Sequence, residues 1–381
     1  MKVAVIGLGS MGMGVAASLL RGGHAVTGFD VRPEARATLA GLGGVPGDTP
    51  AVAARGAEVA IVLVVNAAQV DAALFGPDGA AAAMPRDAVV VQSATVPPDY
   101  PALLGERLAA AGLRLIDAPV SGGAVGAQSG KLTLMASGAP DAFATCEPVF
   151  ASIAAKVYRL GDTPGTGSQV KLVNQLLAGA HIAVAAEAMA LAIRLGADPR
   201  AVYEVITNSA GGSWMFQNRM AHVLDNDYAP RSAVNIFVKD LGIVLDTARK
   251  NLFPTPMAAT AHQLFTMAAA HGLGADPRAV YEVITNSAGG SWMFQNRMAH
   301  VLDNDYTPRS AVNIFVKDLG IVLDTARKNL FPTPMAATAH QLFTMAAAHG
   351  LGAEDDSAVI KVFQALAGID LPAGPPPSAD S

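Results

Sequence analysis

At 381 residues and 51% hydrophobic, the chain can bury a large core, and its length points to two or three domains. A formal charge of −5 gives no general attraction to nucleic acid. Cys146 is the only cysteine, which excludes a disulfide scaffold and a cysteine metal cluster.

The apolar run after Met1 is too short for a signal-peptide core. Val3 to Ile6 reads as a short strand. Gly7-Leu8-Gly9-Ser10-Met11-Gly12 follows at once, then a helical pattern to Arg21 and a second strand, Ala25 to Phe29, closed by Asp30. This is the G-x-G-x-x-G fingerprint in its strand–turn–helix setting. Gly7 allows the tight turn, Gly9 lets backbone approach a pyrophosphate, and Gly12 lets helix and strand pack closely. The helix N-terminus then faces the phosphates. Asp30 is placed to bind the adenosine ribose hydroxyls and to repel a 2′-phosphate, so NAD is expected as the cofactor. Arg32 nearby keeps NADP as the less favoured alternative.

Further strands read at Val59–Val65, Ala88–Gln92, Arg114–Ala118, Thr133–Ser137 and Val157–Leu160, with helical patterns between most of them. The pattern predicts an α/β fold, a Rossmann-type doubly wound sheet. Val65 and Asn66, and then Thr95, fall where strands end, which is where such a sheet holds its ligand. Thr95 suits either the nicotinamide half of the cofactor or a cap on the next helix. Asp117-Ala118-Pro119-Val120-Ser121-Gly122-Gly123 comes next. Its Ser-Gly-Gly turn, Ser121 to Gly123, offers backbone N–H groups and a hydroxyl to a carboxylate, or is an ordinary glycine-rich turn.

From Ser168 to Leu195 the pattern is one long helix, with Ser168 as the expected N-cap and apolar residues on most faces, so it is expected to be buried. Lys171 and Asn174 share a face of its first turns. Burial and the positive helix end would both draw the Lys171 amine towards the working pH of a general acid/base; the alternative is a solvated lysine at a helix end. Glu187 and Arg194 interrupt the apolar run, so no membrane span is expected and the chain reads as soluble and cytoplasmic. His24 and His181 are isolated and no His-x-x-x-His pattern occurs, so no metal site is expected; His181 reads as a core residue.

Residues Ala197–Gly274 recur as Ala275–Gly352, differing only at Ala229 against Thr307. Each copy reads as about four helices: one before Asn208, then Trp214–Leu224, Ala233–Lys250 and Met257–His271. A last helix, Asp355–Ala367, precedes a Gly-, Pro- and Ser-rich tail, Leu371–Ser381, expected to be disordered.

The Gly7–Gly12 loop, Asp117–Gly123, Gly165-x-Gly167-x-x-x-Lys171-x-x-Asn174 and Lys239-Asp240-Leu241-Gly242 occur in that order. Together they resemble the β-hydroxyacid dehydrogenase family, which includes 3-hydroxyisobutyrate dehydrogenase and tartronate semialdehyde reductase. Leu63–Val70, Gln175–Gly179, Ser213–Phe216 and Glu354–Lys361 are most similar to family members that oxidise L-threonate. The resemblance implies an NAD-binding domain over 1–160, an inter-domain helix over 161–196 carrying the catalytic lysine, and an all-α remainder. That remainder comprises a helical unit over 197–274, its copy over 275–352, and a C-terminal helix and tail over 353–381. It implies oxidation of a small hydroxy-carboxylate, L-threonate first, to its 2-oxo acid. Lys171 would take the hydroxyl proton, Asn174 would orient it, and Ser121, Gly122 and Gly123 would hold the carboxylate. Lys239, or Lys317 in the second copy, would reach the nicotinamide end. Reduction of tartronate semialdehyde, a 3-hydroxyisobutyrate-type activity, and a non-catalytic cofactor-binding module are the alternatives. A homo-oligomer, dimer or tetramer, is the implied assembly.

Overall fold

A computed structural model describes residues 1–225, 233–270 and 305–367. The chain divides into two units, Met1–Asn174 and Gln175–Ser381.

The first unit is built on strands β1 (Lys2–Ile6), β2 (Ala25–Phe29), β3 (Val45–Pro46), β4 (Val59–Val62), β5 (Val89–Gln92), β6 (Arg114–Asp117), β7 (Val120–Ser121), β8 (Leu132–Gly138) and β9 (Ala154–Arg159). They form one sheet in the order β3-β2-β1-β4-β5-β6-β8-β7, with β9 pairing β8. Every pair from β3 to β6 is parallel, whereas β8 runs antiparallel to β6 and β7. The chain crosses from one half of the parallel sheet to the other between β1 and β4, the position at which doubly wound sheets open a crevice. Helices α1 (Ser10–Arg21), α2 (Pro33–Gly41), α3 (Pro50–Ala54), α4 (Ala67–Phe75), α5 (Tyr100–Ala110), α6 (Gly123–Ser129) and α7 (Pro140–Ile153) connect the strands.

The central strands are apolar throughout because both sheet faces are covered. Val3, Val5, Val59, Ile61, Val89, Val91 and Ile116 face one core with Leu19, Val149 and Phe150. Ala4, Ile6, Ala60, Val62, Val90 and Leu115 face the other with Val70, Leu74, Leu104 and Leu108.

Helix α8 (Thr166–Arg194) follows. It begins before Ser168, so Ser168 is not its N-cap. The open N–H groups of the first turn are taken instead by a carboxylate from the sheet, Asp117, which accepts from Ser168 N at 2.8 Å. Nor is the helix buried on most faces: Val173 is 56% exposed and Ile193 51% exposed. By length and composition it is apolar enough to cross a membrane, with a mean hydropathy of 1.9 over its most apolar window. Its first turn is nevertheless tied into the sheet unit through Asp117, and Glu187 is engaged within the second unit.

The second unit carries the rest of α8, then α9 (Pro199–Thr207), α10 (Trp214–Leu224), α11 (Val234–Lys250), α12 (Pro256–Ala268), α13 (Val312–Lys328), α14 (Pro334–Ala346) and α15 (Ile360–Ala367). Helices α11 and α12 belong to the first copy of the repeat, and α13 and α14 to the second. The two helices expected first in the second copy lie outside the described residues, as does the tail Leu371–Ser381.

Identical sequences are buried unequally. In α11, Phe237, Asp240, Leu241 and Val244 are buried, and in α13 their counterparts are not. The difference comes from what each helix meets. A Cβ on Gly179 of α8 would lie 2.9 Å from the Leu241 methyls, so the missing side chain there lets α11 close onto α8. The second copy is held elsewhere: the Glu187 carboxylate accepts from the first N–H groups of α14, Met335 at 2.9 Å and Ala336 at 3.1 Å. The C-terminal segment also joins the second copy, with Asp355 accepting from Arg309 N at 2.8 Å. The copies meet where α12 and α14 bring Thr260 Oγ1 within 3.0 Å of Thr338 Oγ1, its own counterpart.

Candidate active site

The fingerprint loop lies at the carboxyl end of β1. Gly7 has φ +94°, a conformation that only glycine adopts without strain. Its N–H donates to Phe29 O at 2.8 Å, which ties the turn to β2. A Cβ on Gly12 would sit 1.8 Å from Gly7 O, so the glycine at this position lets the first turn of α1 fold over the loop. A Cβ on Gly9 would meet nothing within 4 Å. The backbone there faces open space at a helix N-terminus, with Ser10 and Met11 in the first turn of α1. This cradle fits a dinucleotide pyrophosphate.

Asp30 is buried at the end of β2. It accepts from Leu8 N at 2.8 Å, Arg32 N at 3.0 Å and Arg32 Nε at 3.0 Å. Burial alone would push its carboxyl up, but the Arg32 guanidinium and the two N–H groups more than offset this and hold it below the usual range. Asp30 thus braces the loop through Leu8 as well as offering an acceptor to a ribose, and Arg32 is already committed to it. Replacing Asp30 with alanine is expected to raise the Kd for NAD roughly 10- to 100-fold, since charge-assisted bonds of about 1.5–3 kcal/mol are removed. The same change frees Arg32, so the NADP Kd should rise less and the preference between the two should narrow. Equal shifts for both cofactors in a fluorescence titration would refute that reading.

Val65 and Asn66 lie beyond β4, which ends at Val62 and not at Val65. Asn66 caps α4 by accepting from Gln69 N at 2.9 Å, and Val65 N donates back to Gln69 Oε1 at 2.9 Å. This reciprocal arrangement shapes the rim of the crevice. Thr95 is half-buried in the loop after β5. It does not cap the next helix, whose N-cap is Asp99.

Ser121, Gly122 and Gly123 form the turn between β7 and α6. Gly122 and Gly123 both have positive φ, +124° and +63°, so the turn requires glycine at both positions. Ser121 is buried. Lys171 is also buried, 6% exposed, and its Nζ donates to Val120 O at 2.9 Å. The structure therefore brings Lys171 to the residue immediately before the Ser121–Gly123 turn. Asn174 lies three residues along the same helix.

Three functional candidates escape the sequence. Asp117 is fully buried at the end of β6, and burial raises its carboxyl to about 6 against bonds from Ser168, Gly165 and Ser137. Ser137 lies directly opposite it on β8. Gln175, in the second unit, donates to the buried carboxylate of Asp240. The one sequence signal for Asp117 is its place at the head of the Asp117–Gly123 motif.

In the second unit, Lys239 is 21% exposed and paired with Asp240, whereas Lys317 is 67% exposed and paired with Asp318. His181 is pushed down to about 4 by burial, so it is neutral at physiological pH, as a packed core histidine would be. Among the described residues no cluster of metal-ligating side chains occurs.

Comparison with known proteins decides the family. Residues 2–161 match the NAD-binding domain of 6-phosphogluconate dehydrogenase. Residues 165–275 and 266–363 each match the NAD-binding domain of NADP-dependent 3-hydroxyisobutyrate dehydrogenase. An L-threonate dehydrogenase of Cupriavidus necator is 57% identical over 284 residues, covering 74% of this chain and 95% of the relative. The chain belongs to the 3-hydroxyisobutyrate dehydrogenase-like family of NAD(P)-dependent β-hydroxyacid dehydrogenases. An L-threonate dehydrogenase of Escherichia coli is 50% identical over 286 residues, with 74% of this chain and 94% of the relative aligned. The crystal structure of a 3-hydroxyisobutyrate dehydrogenase from Salmonella typhimurium superposes with a TM-score of 0.69 at 49% identity, covering 74% of this chain and 99% of that one. These matches establish the Rossmann-type sheet unit followed by a helical unit, and NAD as the cofactor type, with NADP use also occurring in the family.

Proposed function

We propose that this dehydrogenase oxidises L-threonate to its 2-oxo acid with NAD. The observation that carries the reading is the buried Lys171 amine, held on Val120 O beside the Ser121–Gly123 turn. Nicotinamide, when bound, supplies the acceptor for the hydride leaving C2 of the substrate. The chain's own residues do the rest. The N–H groups and hydroxyl of Ser121, Gly122 and Gly123 hold the substrate carboxylate, and the Lys171 amine takes the proton of the C2 hydroxyl. Asn174 orients the hydroxyl, and Val120 O fixes the direction of the amine. Loss of that proton and of the hydride leaves a C2 ketone, so atoms and electrons balance. Removal of bulk water and fixed orientation, rather than new covalent chemistry, are the protein's contribution.

L-Threonate is chosen over other hydroxy acids because relatives sharing half or more of their residues with this chain are L-threonate dehydrogenases. A screen of NADH formation across L-threonate and 3-hydroxyisobutyrate, with tartronate semialdehyde tested in reduction, checks the choice. Turnover highest with L-threonate is expected; a preference for either of the others would move the enzyme elsewhere within the family.

We assign residues 1–160 to NAD binding, 161–196 to the catalytic helix and 197–274 to the first helical unit. Residues 275–352 are the second copy, and 353–381 the C-terminal helix and tail. Lys239, not Lys317, is the residue assigned to the nicotinamide end. Lys239 is 21% exposed and its neighbour Asp240 is buried and held by Gln175, while Lys317 is largely solvated. Lys239→Ala is therefore expected to lower kcat/KM at least about tenfold, the loss of one charge-assisted bond, and Lys317→Ala to leave it within about twofold. A damaging Lys317→Ala beside a harmless Lys239→Ala would reverse the assignment. We further propose a cytoplasmic enzyme that assembles as a homo-oligomer, dimer or tetramer; the apolar side chains that α8 leaves exposed support the assembly.

A further inference from the structure

We propose that Asp117 is a positioning residue for Lys171: its carboxylate locks the first turn of α8 and thereby sets where the amine meets the substrate turn. The inference rests on the reading of Lys171 as the proton acceptor.

The geometry forms a closed circuit. Asp117 Oδ2 accepts from Ser168 N at 2.8 Å and from Gly165 N at 3.2 Å, and its Oδ1 accepts from Ser168 Oγ at 2.7 Å. From the adjoining strand, Ser137 Oγ accepts from Gly167 N at 3.1 Å. Gly167 sits so close to the sheet that a Cβ would be 2.3 Å from Met135 O and 2.7 Å from Asp117 O. The first turn of α8 is therefore pressed onto β6 and β8 with no slack. Lys171 lies three residues beyond Ser168, on the same helix face. Its Nζ returns to Val120 O at 2.9 Å, three residues beyond Asp117. One short segment, Asp117 to Val120, thus grips the helix at one end and the amine at the other. Ser121, Gly122 and Gly123 continue directly from it.

A hydrophobic residue at position 117 would serve the sheet's packing without a charge. Burial lifts this carboxyl to about 6, above its ordinary 3.8, so its contribution to stability is present below about 3.8 and is lost as pH rises to about 6. At neutral pH the ionised group is held in place by the helix donors, and it holds them in return. Stability alone gives no account of a carboxylate here, whereas fixing an amine within a fraction of an ångström does.

The test is a double-mutant cycle on the full chain with L-threonate and NAD, using D117N, K171A and the pair. Asparagine keeps the shape and one oxygen for Ser168 N and Gly165 N, but its NH₂ makes the Ser168 hydroxyl reverse from donor to acceptor, and the charge that holds the first turn is lost. D117N is expected to lower kcat roughly 10- to 100-fold, the cost of a misplacement of about 1 Å, with KM for L-threonate and Kd for NADH within about twofold. In the K171A background the same change should alter residual turnover less than about twofold, because Asp117 acts only through the lysine. S168A, which removes only the hydroxyl bond, should show a smaller kcat loss with the same dependence on Lys171, and it carries the test if D117N does not fold. Unchanged kcat in both variants, or equal losses with and without Lys171, would overturn the proposal. Full turnover in K171A itself would instead undo the proton-transfer reading beneath it.

Discussion

Lys171→Ala is expected to reduce kcat by roughly 10²–10⁴, the range that positioned general acid/base groups contribute, while NAD affinity stays within about twofold. The amine is one of few ionisable groups that the sheet unit buries among the described residues, and the structure gives it Val120 O as an acceptor. Its position follows from α8: the first turn is fixed on the ends of β6 and β8, and the lysine projects from the next turn to the start of the glycine turn. Truncation leaves the backbone donors of that turn intact, so a carboxylate substrate should still bind. The expected signature is therefore a fall in kcat with little change in KM, the mark of an interaction made in the transition state. A rise in KM alone would make Lys171 a binding residue and leave the proton acceptor to be found elsewhere.

Gly12→Ala is expected to raise the Kd for NAD roughly 10- to 100-fold, the equivalent of the 1–3 kcal/mol that overpacking costs. The added methyl would lie 1.8 Å from Gly7 O and 2.9 Å from Gly7 C, both backbone atoms. Gly7 cannot retreat, because its own space is closed by Leu63 O and its N–H is held by Phe29 O. The turn must open, and melting should show a lowered Tm alongside the weaker binding. Gly9→Ala makes the contrast. Its methyl would enter open space, so the fold should keep its Tm and only the dinucleotide should be excluded. If Gly12→Ala bound NAD normally, the loop would have a slack that its contacts do not show.

The dinucleotide half of the molecule was legible because its signals are local. A glycine spacing, two flanking strands and Asp30 all sit within one short stretch, and each glycine's role is set by backbone sterics. The two-residue strands β3 and β7 were not legible, since a two-residue run carries no period. The N-cap expected at Ser168 failed for a related reason. Pro164 to Ser168 looks like a local helix start, but the acceptor for the first N–H groups comes from Asp117 on β6, a partner that sequence spacing does not reveal. Burial was the least legible property. The apolar residues of α8 read as core, yet Val173 and Ile193 are exposed, and identical sequences in α11 and α13 are buried differently because one lies on Gly179 and the other does not. Amino-acid pattern sets which face of a helix can be buried; only the neighbours decide whether it is.

The most direct measurement is NADH formation by the full chain and by K171A, side by side, with L-threonate as the only hydroxy acid. The account predicts steady turnover for the native chain and a loss of roughly 10²–10⁴ in kcat for K171A with NADH binding retained. Equal turnover by the two proteins, or a native chain inert towards L-threonate but active on another hydroxy acid, would contradict it.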